Sequence, residues 1–290
     1  MPCESPIRAY RPATGGPLLF TAPDPNRSPQ IYQALDIPCG NCILCKEEHA
    51  RQWAVRIAHE ATLHEANSFL TLTYTNEQMP RHNSLDYSHL QKFWKRLRKQ
   101  IGELAYYAVG EYGDNTLRPH YHACIFGHDF TEGSIIVAEE PHRLWENPWL
   151  NTAWGHGRVT IGQLNYKTAR YTASYVTKKL KSTQQYVRMD DETGELIRVT
   201  QPRAFMSRNI GKEWWLRYGA HTTAHDFVVI DGAKQKPPKA YDKWLGEVNP
   251  AKLEQIKENR KEKTQQLTPN ENHARARNAH ARVHKKSKKV

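Results

Sequence analysis

The sequence RPHYHACIFG at residues 118–127 predicts a buried β-strand with two histidines on one face. Side chains alternate along a strand, so His120 and His122 point the same way. Residues 106–113, YYAVGEYG, read as a second strand, and the short polar segment between the two predicts an antiparallel hairpin. This hairpin would bring Glu111 beside both imidazoles and form a metal site with open positions for substrate. Alternatively, each histidine is a polar surface residue or a hydrogen-bonded core residue.

A second pattern lies about fifty residues further on, in NYKTARYTASYVTKKL at residues 165–180. Read as a helix, this stretch places Tyr171 and Tyr175 four residues apart on one face, with Lys178 about one turn further along. Two phenols and an ammonium group would then face the same way. The alternative is an aromatic stripe that packs on a sheet, with the lysine side chains reaching solvent at the helix end.

The order of these patterns resembles a known enzyme superfamily. The strand FLTLTY at residues 69–74, the His-Tyr-His strand and the two-tyrosine helix resemble, in that order, the three motifs of HUH endonucleases, which initiate rolling-circle replication. The wordings GEYG and RPHYH are similar to those in the replication initiation proteins of gokushoviruses, small single-stranded DNA phages of the microvirus group. The resemblance covers residues 38–181 and implies a palm-like antiparallel sheet with the metal ligands on a central strand.

The resemblance also implies roles for the site residues. Glu111, His120 and His122 would hold a magnesium or manganese ion that polarises the scissile phosphate, since ligand type alone does not choose between these metals. A phenol with a free pKa near 10 is a poor nucleophile without such help. Attack by Tyr171 or Tyr175 would nick origin DNA, leave a 5′-phosphotyrosine and free a 3′-hydroxyl, and the ester would conserve the energy needed for rejoining.

Two tyrosines imply a second cut at the regenerated origin while the first tyrosine still holds the old 5′ end. Lys178 would stabilise charge on the phosphate or the phenolate. The implied partner is origin DNA, as a single strand or as the supercoiled replicative form, in the cytoplasm of a bacterial host. The sequence contains no Gly-x-x-x-x-Gly-Lys-Ser/Thr loop, so unwinding and copying would fall to a host helicase and a host polymerase.

Cysteine spacing suggests a second metal site. Cys39, Cys42 and Cys45 follow one another at intervals of three, and without a secretory signal pattern they favour a metal cluster in a reducing compartment. If Cys3 folds back to join them, they could form a structural zinc site with four thiolates. Alternatively, they are small buried residues at a helix start. Cys124, in the apolar half of its strand, is expected in the core.

Length and composition limit the number of cores and exclude a predicted membrane span. A chain of 290 residues with 38% hydrophobic residues can bury one sizeable core, and no run of eighteen apolar residues predicts a membrane span. The order of strands and helices predicts an α+β fold with an antiparallel sheet flanked by helices. The predicted organisation is an extended arm (1–37), the endonuclease domain (38–235), one C-terminal helix (236–263) and a basic disordered tail (264–290).

Basic residues suggest two further surfaces. Residues 251–290 hold twelve Lys or Arg against four Glu, so the tail is expected to bind nucleic acid without sequence preference and in a salt-dependent way. The predicted helix 87–100, capped by Ser84 or Asp86, carries a basic face that either contacts phosphates or is simply solvated. Arg118 and Lys179 are further candidates for DNA contact.

Three other functions are compatible with these patterns. A relaxase for plasmid transfer shares the chemistry, and only the motif wording favours replication. A non-haem metal oxygenase using His120, His122 and a carboxylate predicts iron dependence and no role for the tyrosines. A non-catalytic, zinc-stabilised DNA-binding protein predicts DNA binding that survives loss of both histidines.

Overall fold

The computed structural model describes residues 3–24, 31–113, 115–178, 186–190, 192–263 and 268–287, without the side chains of residues 175–178, 269, 272 and 283–287. The chain divides into two compact units. One comprises residues 1–48 and 262–290, and the other comprises residues 49–261. The domain boundaries drawn from the sequence remain a prediction.

The described residues contain strands in both units. In chain order they are β1 (Ile7–Pro12), β2 (Tyr32–Ile37), β3 (Asn67–Thr73), β4 (Ala105–Tyr112), β5 (Pro119–Phe126), β6 (Ile135–Ala138), β7 (Leu144–Glu146), β8 (Val159–Gly162), β9 (Val187–Met189), β10 (Leu196–Arg198), β11 (Ala204–Met206), β12 (Val228–Ile230) and β13 (Ala233–Gln235). Seven of them form one antiparallel sheet in the order β11-β4-β5-β3-β8-β7-β6. The predicted antiparallel sheet is therefore confirmed, with the histidine strand β5 near its centre.

Helices occupy most of the remaining described chain. In chain order they are α1 (Ile43–Ala61), α2 (Tyr87–Ile101), α3 (Pro148–Trp154), α4 (Tyr166–Lys178), α5 (Lys212–His225), α6 (Lys239–Val248), α7 (Pro250–Glu262) and α8 (Pro269–Ser287). The predicted cap of α2 is confirmed, because the Asp86 side chain accepts a hydrogen bond from the Ser88 backbone. None of the helices, as far as they are described, is long and apolar enough to cross a membrane.

Helices cover both faces of the large sheet, which confirms the α+β class. On one face, α2 and α3 pack against Leu70 and Tyr121 in the largest hydrophobic cluster. On the other face, α1 and α4 pack against Val109 and Cys124. Alternation along β4 and β5 assigns each residue to one of these two layers. Cys124 is buried at this second face, as predicted.

A third cluster forms where α5, α6 and α7 pack with β12 and the outer side of α1. His59 of α1 is buried there, with its Nδ1 2.6 Å from the Tyr241 hydroxyl and its ring stacked on Trp214. Burial lowers the pKa of His59 to about 3, because the charged ring would lose its hydration. His59 is therefore a neutral core residue at physiological pH.

The structure corrects two predictions for the C-terminal part of the chain. The single helix predicted over residues 236–263 is two helices, because Pro250 begins α7 and the Asn249 side chain caps it by accepting from the Lys252 backbone. The tail predicted to be disordered contains α8. Thr268 and Glu271 form a reciprocal capping box at its start, and alanine and arginine, both good helix formers, follow.

Candidate metal centre

The hairpin β4–β5 builds the candidate site as predicted. Its register places Glu111 opposite His120 and Val109 opposite His122. Directly opposed residues share a face, so Glu111 and both histidines point toward the layer that holds α1 and α4. Gly110 faces the other layer, where an added Cβ would lie 2.8 Å from the Tyr87 ring, so its role is packing.

The three side chains converge on one point. The Glu111 Oε1 atom lies 3.1 Å from the His122 Nε2 atom and is in contact with the His120 Nε2 atom. One ligand atom from each residue lies within 4.8 Å of the others. Glu111 and His122 are only 2% and 5% exposed, whereas His120 is half-buried at the open side. A carboxylate and two imidazoles at this spacing are compatible with a metal ion.

Hydrogen bonding around His120 favours a cation between the three side chains. The His120 Nδ1 atom lies 3.2 Å from the Arg118 carbonyl oxygen, which can only accept, so Nδ1 carries the proton. In a neutral ring the Nε2 atom then presents a lone pair to the Glu111 carboxylate. Two acceptors in contact require a proton or a metal ion between them. Glu111 Oε2 is also buried and has no hydrogen-bond partner among the described residues, which leaves it available to a metal.

Burial and hydrogen bonding set the charge of the ligands. Burial alone would raise the pKa of Glu111, but the His120 and His122 rings that contact its carboxylate outweigh this and hold the pKa below the usual range. Burial lowers the pKa of His122, so this ring stays neutral. An ionised carboxylate and a neutral imidazole are the forms that bind metals.

Residues of β3 support His122, and the sequence interpretation assigned them no part in the site. Thr71 lies opposite His122 in the sheet, and its hydroxyl is 3.0 Å from the His122 Nδ1 atom. The Phe69 ring stacks on the His122 ring with centroids 5.4 Å apart. Alternation in FLTLTY puts Phe69 and Thr71 on the same face, but only the pairing of β3 with β5 shows which face that is.

We expect Thr71→Val to weaken metal binding by about 10- to 100-fold, because the hydroxyl that orients His122 is lost while side-chain shape is kept. Titration of manganese into the protein, followed by calorimetry, measures this effect. Thr160→Val is a matched control, since Thr160 lies opposite Thr71 on β8, one strand further from the histidines. Equal affinity in Thr71→Val and wild type would contradict a supporting role for this hydroxyl.

Helix α4 brings the first of the two predicted tyrosines to the candidate metal ligands. The Tyr171 ring meets the His122 ring edge to face, with centroids 5.2 Å apart. Ala169 and Thr172 of the same helix are buried against the sheet and fix its position. Tyr175 and Lys178 lie on α4 further along, but their side chains are outside the described residues, as is all of Lys179.

The predicted DNA-contact residues have different locations. Arg118 is half-buried at the start of the histidine strand, where its guanidinium donates to the Asn76 side chain and to the Tyr74 carbonyl. The basic helix α2 instead packs on the sheet face opposite the histidines. Its Arg96 donates to the carbonyls of Ala153 and Trp154 at the end of α3. Phosphates bound along α2 would therefore lie on the other side of the sheet from the metal centre.

The four predicted cysteines also come together, in the unit formed by residues 1–48 and 262–290. Their sulfur atoms lie within 4.8 Å of one another, and all four are free thiols. The Cys42 backbone N–H lies 3.3 Å from the Cys39 sulfur and lowers the pKa of that thiol to about 7. This group shares no residue with the carboxylate–histidine group and is likewise compatible with a metal ion.

Fold and site together define an α+β protein with a candidate carboxylate–histidine metal centre and an adjacent tyrosine helix. Residues 67–180 match the family model described as replication-associated protein ORF2/G2P. The chain is 29% identical over 263 residues to the replication-associated protein VP4 of Bdellovibrio phage phiMH2K, covering 87% of this chain and 79% of the relative. It is 31% identical over 226 residues to the replication-associated protein ORF2 of Spiroplasma virus 4, covering 72% of this chain and 67% of that protein.

A further relative is the replication-associated protein ORF4 of Chlamydia phage 1, 32% identical over 233 residues, which are 74% of this chain and 55% of that protein. The chain therefore belongs to the family of microvirus replication-associated proteins, of the gokushovirus type. No solved structure matches it. The family model spans β3 to α4, the same elements that carry the candidate site.

Proposed function

We propose that the protein initiates rolling-circle replication as a metal-dependent endonuclease and strand transferase. It nicks single-stranded DNA at the phage origin through a tyrosine, forms a 5′-phosphotyrosine link and later rejoins the strands. The observation that carries this proposal is the buried group of Glu111, His120 and His122 with the Tyr171 ring packed against His122. The names of the relatives support a role in replication.

The ligands suit a divalent cation that contacts DNA. When bound, magnesium or manganese would act as a Lewis acid on the scissile phosphate. Glu111 supplies the negative charge, His122 is held by Thr71, and His120 lies at the open side. Magnesium and manganese prefer six ligands, so three protein ligands leave coordination positions for phosphate oxygens.

The nucleophile is a phenol on α4. The tyrosine Oη forms a bond to phosphorus as the bond from phosphorus to the 3′-oxygen breaks, the phenolic proton leaves, and the departing 3′-oxygen takes up a proton. Tyr171 is supported by its contact with His122. Tyr175 is one helical turn away in sequence, a rise of about 6 Å along the axis. Lys178, one further turn on, would stabilise the charge on the phosphate or the phenolate.

Two nucleophiles allow the same protein to cut twice. The first tyrosine would keep the old 5′ end while the second cuts the regenerated origin. The free 3′-hydroxyl then attacks the first phosphotyrosine and closes the circle, at little net cost because one phosphate ester replaces another. Origin DNA would be the direct partner, and a host helicase and polymerase in the host cytoplasm would unwind and copy it. A plasmid relaxase would use the same chemistry, but the relatives are named for replication.

Labelled oligonucleotides that tile the origin region test this proposal. In manganese or magnesium, a 3′-labelled oligonucleotide should form a band with the protein that resists detergent, while a 5′-labelled one should release a shorter fragment with a 3′-hydroxyl. Chelation should abolish both products, and added manganese should restore them. Cleavage that requires iron and oxygen, or DNA binding without a covalent band in any metal, would contradict it. The second result would favour the non-catalytic DNA-binding protein.

A further inference from the structure

The unit formed by residues 1–48 and 262–290 has very little apolar interior. Among its described residues, the buried side chains are Cys3, Ala9, Pro12, Lys46 and Ala276. Its sheet is the two-stranded pair β1–β2, and isolated pairs of this kind are at best marginally stable in water. A small structure without a core needs a disulfide, a metal or a partner to fold. The cysteines of this unit are free thiols, so a metal is the cross-link that its own residues can provide.

We infer that Cys3, Cys39, Cys42 and Cys45 bind one structural zinc ion that holds this unit together. The sulfur atoms of Cys3 and Cys42 are 3.9 Å apart. A tetrahedral site with zinc–sulfur bonds of about 2.3 Å requires sulfur atoms about 3.8 Å apart, whereas a disulfide bond is about 2.05 Å long. The geometry therefore fits a shared ion.

Backbone N–H groups line the same sulfur atoms. The Cys39 N–H lies 3.3 Å from the Cys3 sulfur, the Cys42 N–H 3.3 Å from the Cys39 sulfur, and the Cys45 N–H 3.4 Å from the Cys42 sulfur. N–H groups directed at a sulfur atom stabilise the negative charge that a metal-bound thiolate carries. Gly40 adopts a φ of +76° in the turn between Cys39 and Cys42, a conformation that glycine adopts readily.

Zinc at this position would tie distant parts of the chain together. It would join Cys3 to cysteines 36 or more residues later and close a loop that contains β1 and β2. The Oε1 atom of Glu4, next to Cys3, lies 3.1 Å from the Nε2 atom of His280 on the basic helix α8. By fixing Cys3, the ion would also fix the position of Glu4, which contacts α8. Four thiolates leave no open position, so the role is structural and independent of DNA cleavage.

Metal analysis of the full-length protein tests the inference. Mass spectrometry of metals should find one zinc per chain at this site, and cobalt exchanged for it should show the thiolate-to-metal absorption of a tetrahedral sulfur site. Cys42→Ser should lower this zinc content at least tenfold, whereas Cys124→Ala, which removes the fifth thiol, should retain it. The double variant His120→Ala/His122→Ala should also retain it, which separates this ion from one at the carboxylate–histidine centre.

Limited proteolysis provides a second readout. Chelation of zinc should expose residues 1–48 and 262–290 to protease while residues 49–261 resist, and returning zinc should restore protection. The inference is overturned if Cys42→Ser binds zinc like the wild type or if the exchanged cobalt lacks sulfur ligation. An intact mass lower by two hydrogens per cysteine pair, which indicates disulfides, would also overturn it. None of these outcomes depends on whether the protein cuts DNA.

Discussion

Glu111→Gln should reduce metal-dependent cleavage of origin DNA by about a thousandfold, the equivalent of about 4 kcal/mol of lost transition-state stabilisation. The amide keeps the size of the side chain but removes the negative charge that lies against both histidines. Because this carboxylate is buried, solvent cannot replace the missing charge. Both metal affinity and the rate at saturating metal should fall, and single-turnover cleavage over a range of manganese concentrations separates the two.

A matched substitution controls for nonspecific effects of Glu111→Gln. Glu60 on α1 is also a partly buried glutamate, which accepts a hydrogen bond from the Gly211 backbone. Glu60→Gln should change cleavage by less than about twofold, even if it lowers stability by about 1 kcal/mol through the weakened hydrogen bond. Thermal unfolding of both variants shows whether either loses its fold. If Glu111→Gln cleaves DNA at the wild-type rate and with unchanged metal dependence, Glu111 is not part of the catalytic site.

Replacing both tyrosines of α4 should abolish the covalent protein–DNA product altogether. Tyr171→Phe keeps the ring that packs against His122 and Phe69, so only the nucleophilic oxygen is lost. Each single variant should still form a covalent product in a one-cut assay, because the other phenol remains. Each should fail to rejoin strands on a substrate with two origins, where both nucleophiles are needed. Denaturing gels with labelled oligonucleotides measure both steps.

The same helix provides the control for the tyrosine variants. Tyr166 lies at the start of α4, and its hydroxyl donates to the Gln235 side chain, away from the metal ligands. Tyr166→Phe should therefore cleave and rejoin at wild-type levels. A covalent product in the double variant would place the nucleophile elsewhere in the chain. Complete loss in one single variant would mean that only one tyrosine reacts.

The sequence predicted the convergence of the candidate metal ligands because this convergence depends on local structure. Glu111, His120 and His122 lie on two strands joined by a short turn, so alternation and antiparallel pairing were enough to bring them together. The support from Thr71 and Phe69 was not predicted. It depends on β3 pairing with β5 across a connection of more than forty residues, and no local pattern specifies that register.

The C-terminal helices show a different limit of prediction from sequence. Residues 269–287 contain four alanines and one valine but no larger apolar side chain, and on composition alone they resemble a disordered tail. Individual residues favour the helix that forms there: the Thr268–Glu271 capping box, Pro269 in the first turn and the alanines that follow. The prediction of one long helix over residues 236–263 was wrong for a related reason. The Asn249-Pro250 pair both ends one helix and begins the next.

The hairpin β4–β5 also has a consequence for synthesis on the ribosome. All three candidate metal ligands lie within twelve residues, and β3, which pairs with β5, is made before them, so the strands that carry the ligands can pair as soon as β5 leaves the ribosome. Tyr171 follows about fifty residues later, which at 5–20 residues per second takes roughly 3–10 seconds. A chain interrupted in this interval would carry the candidate metal ligands without either of the proposed nucleophiles. Nascent and truncated products would therefore be unable to cut DNA.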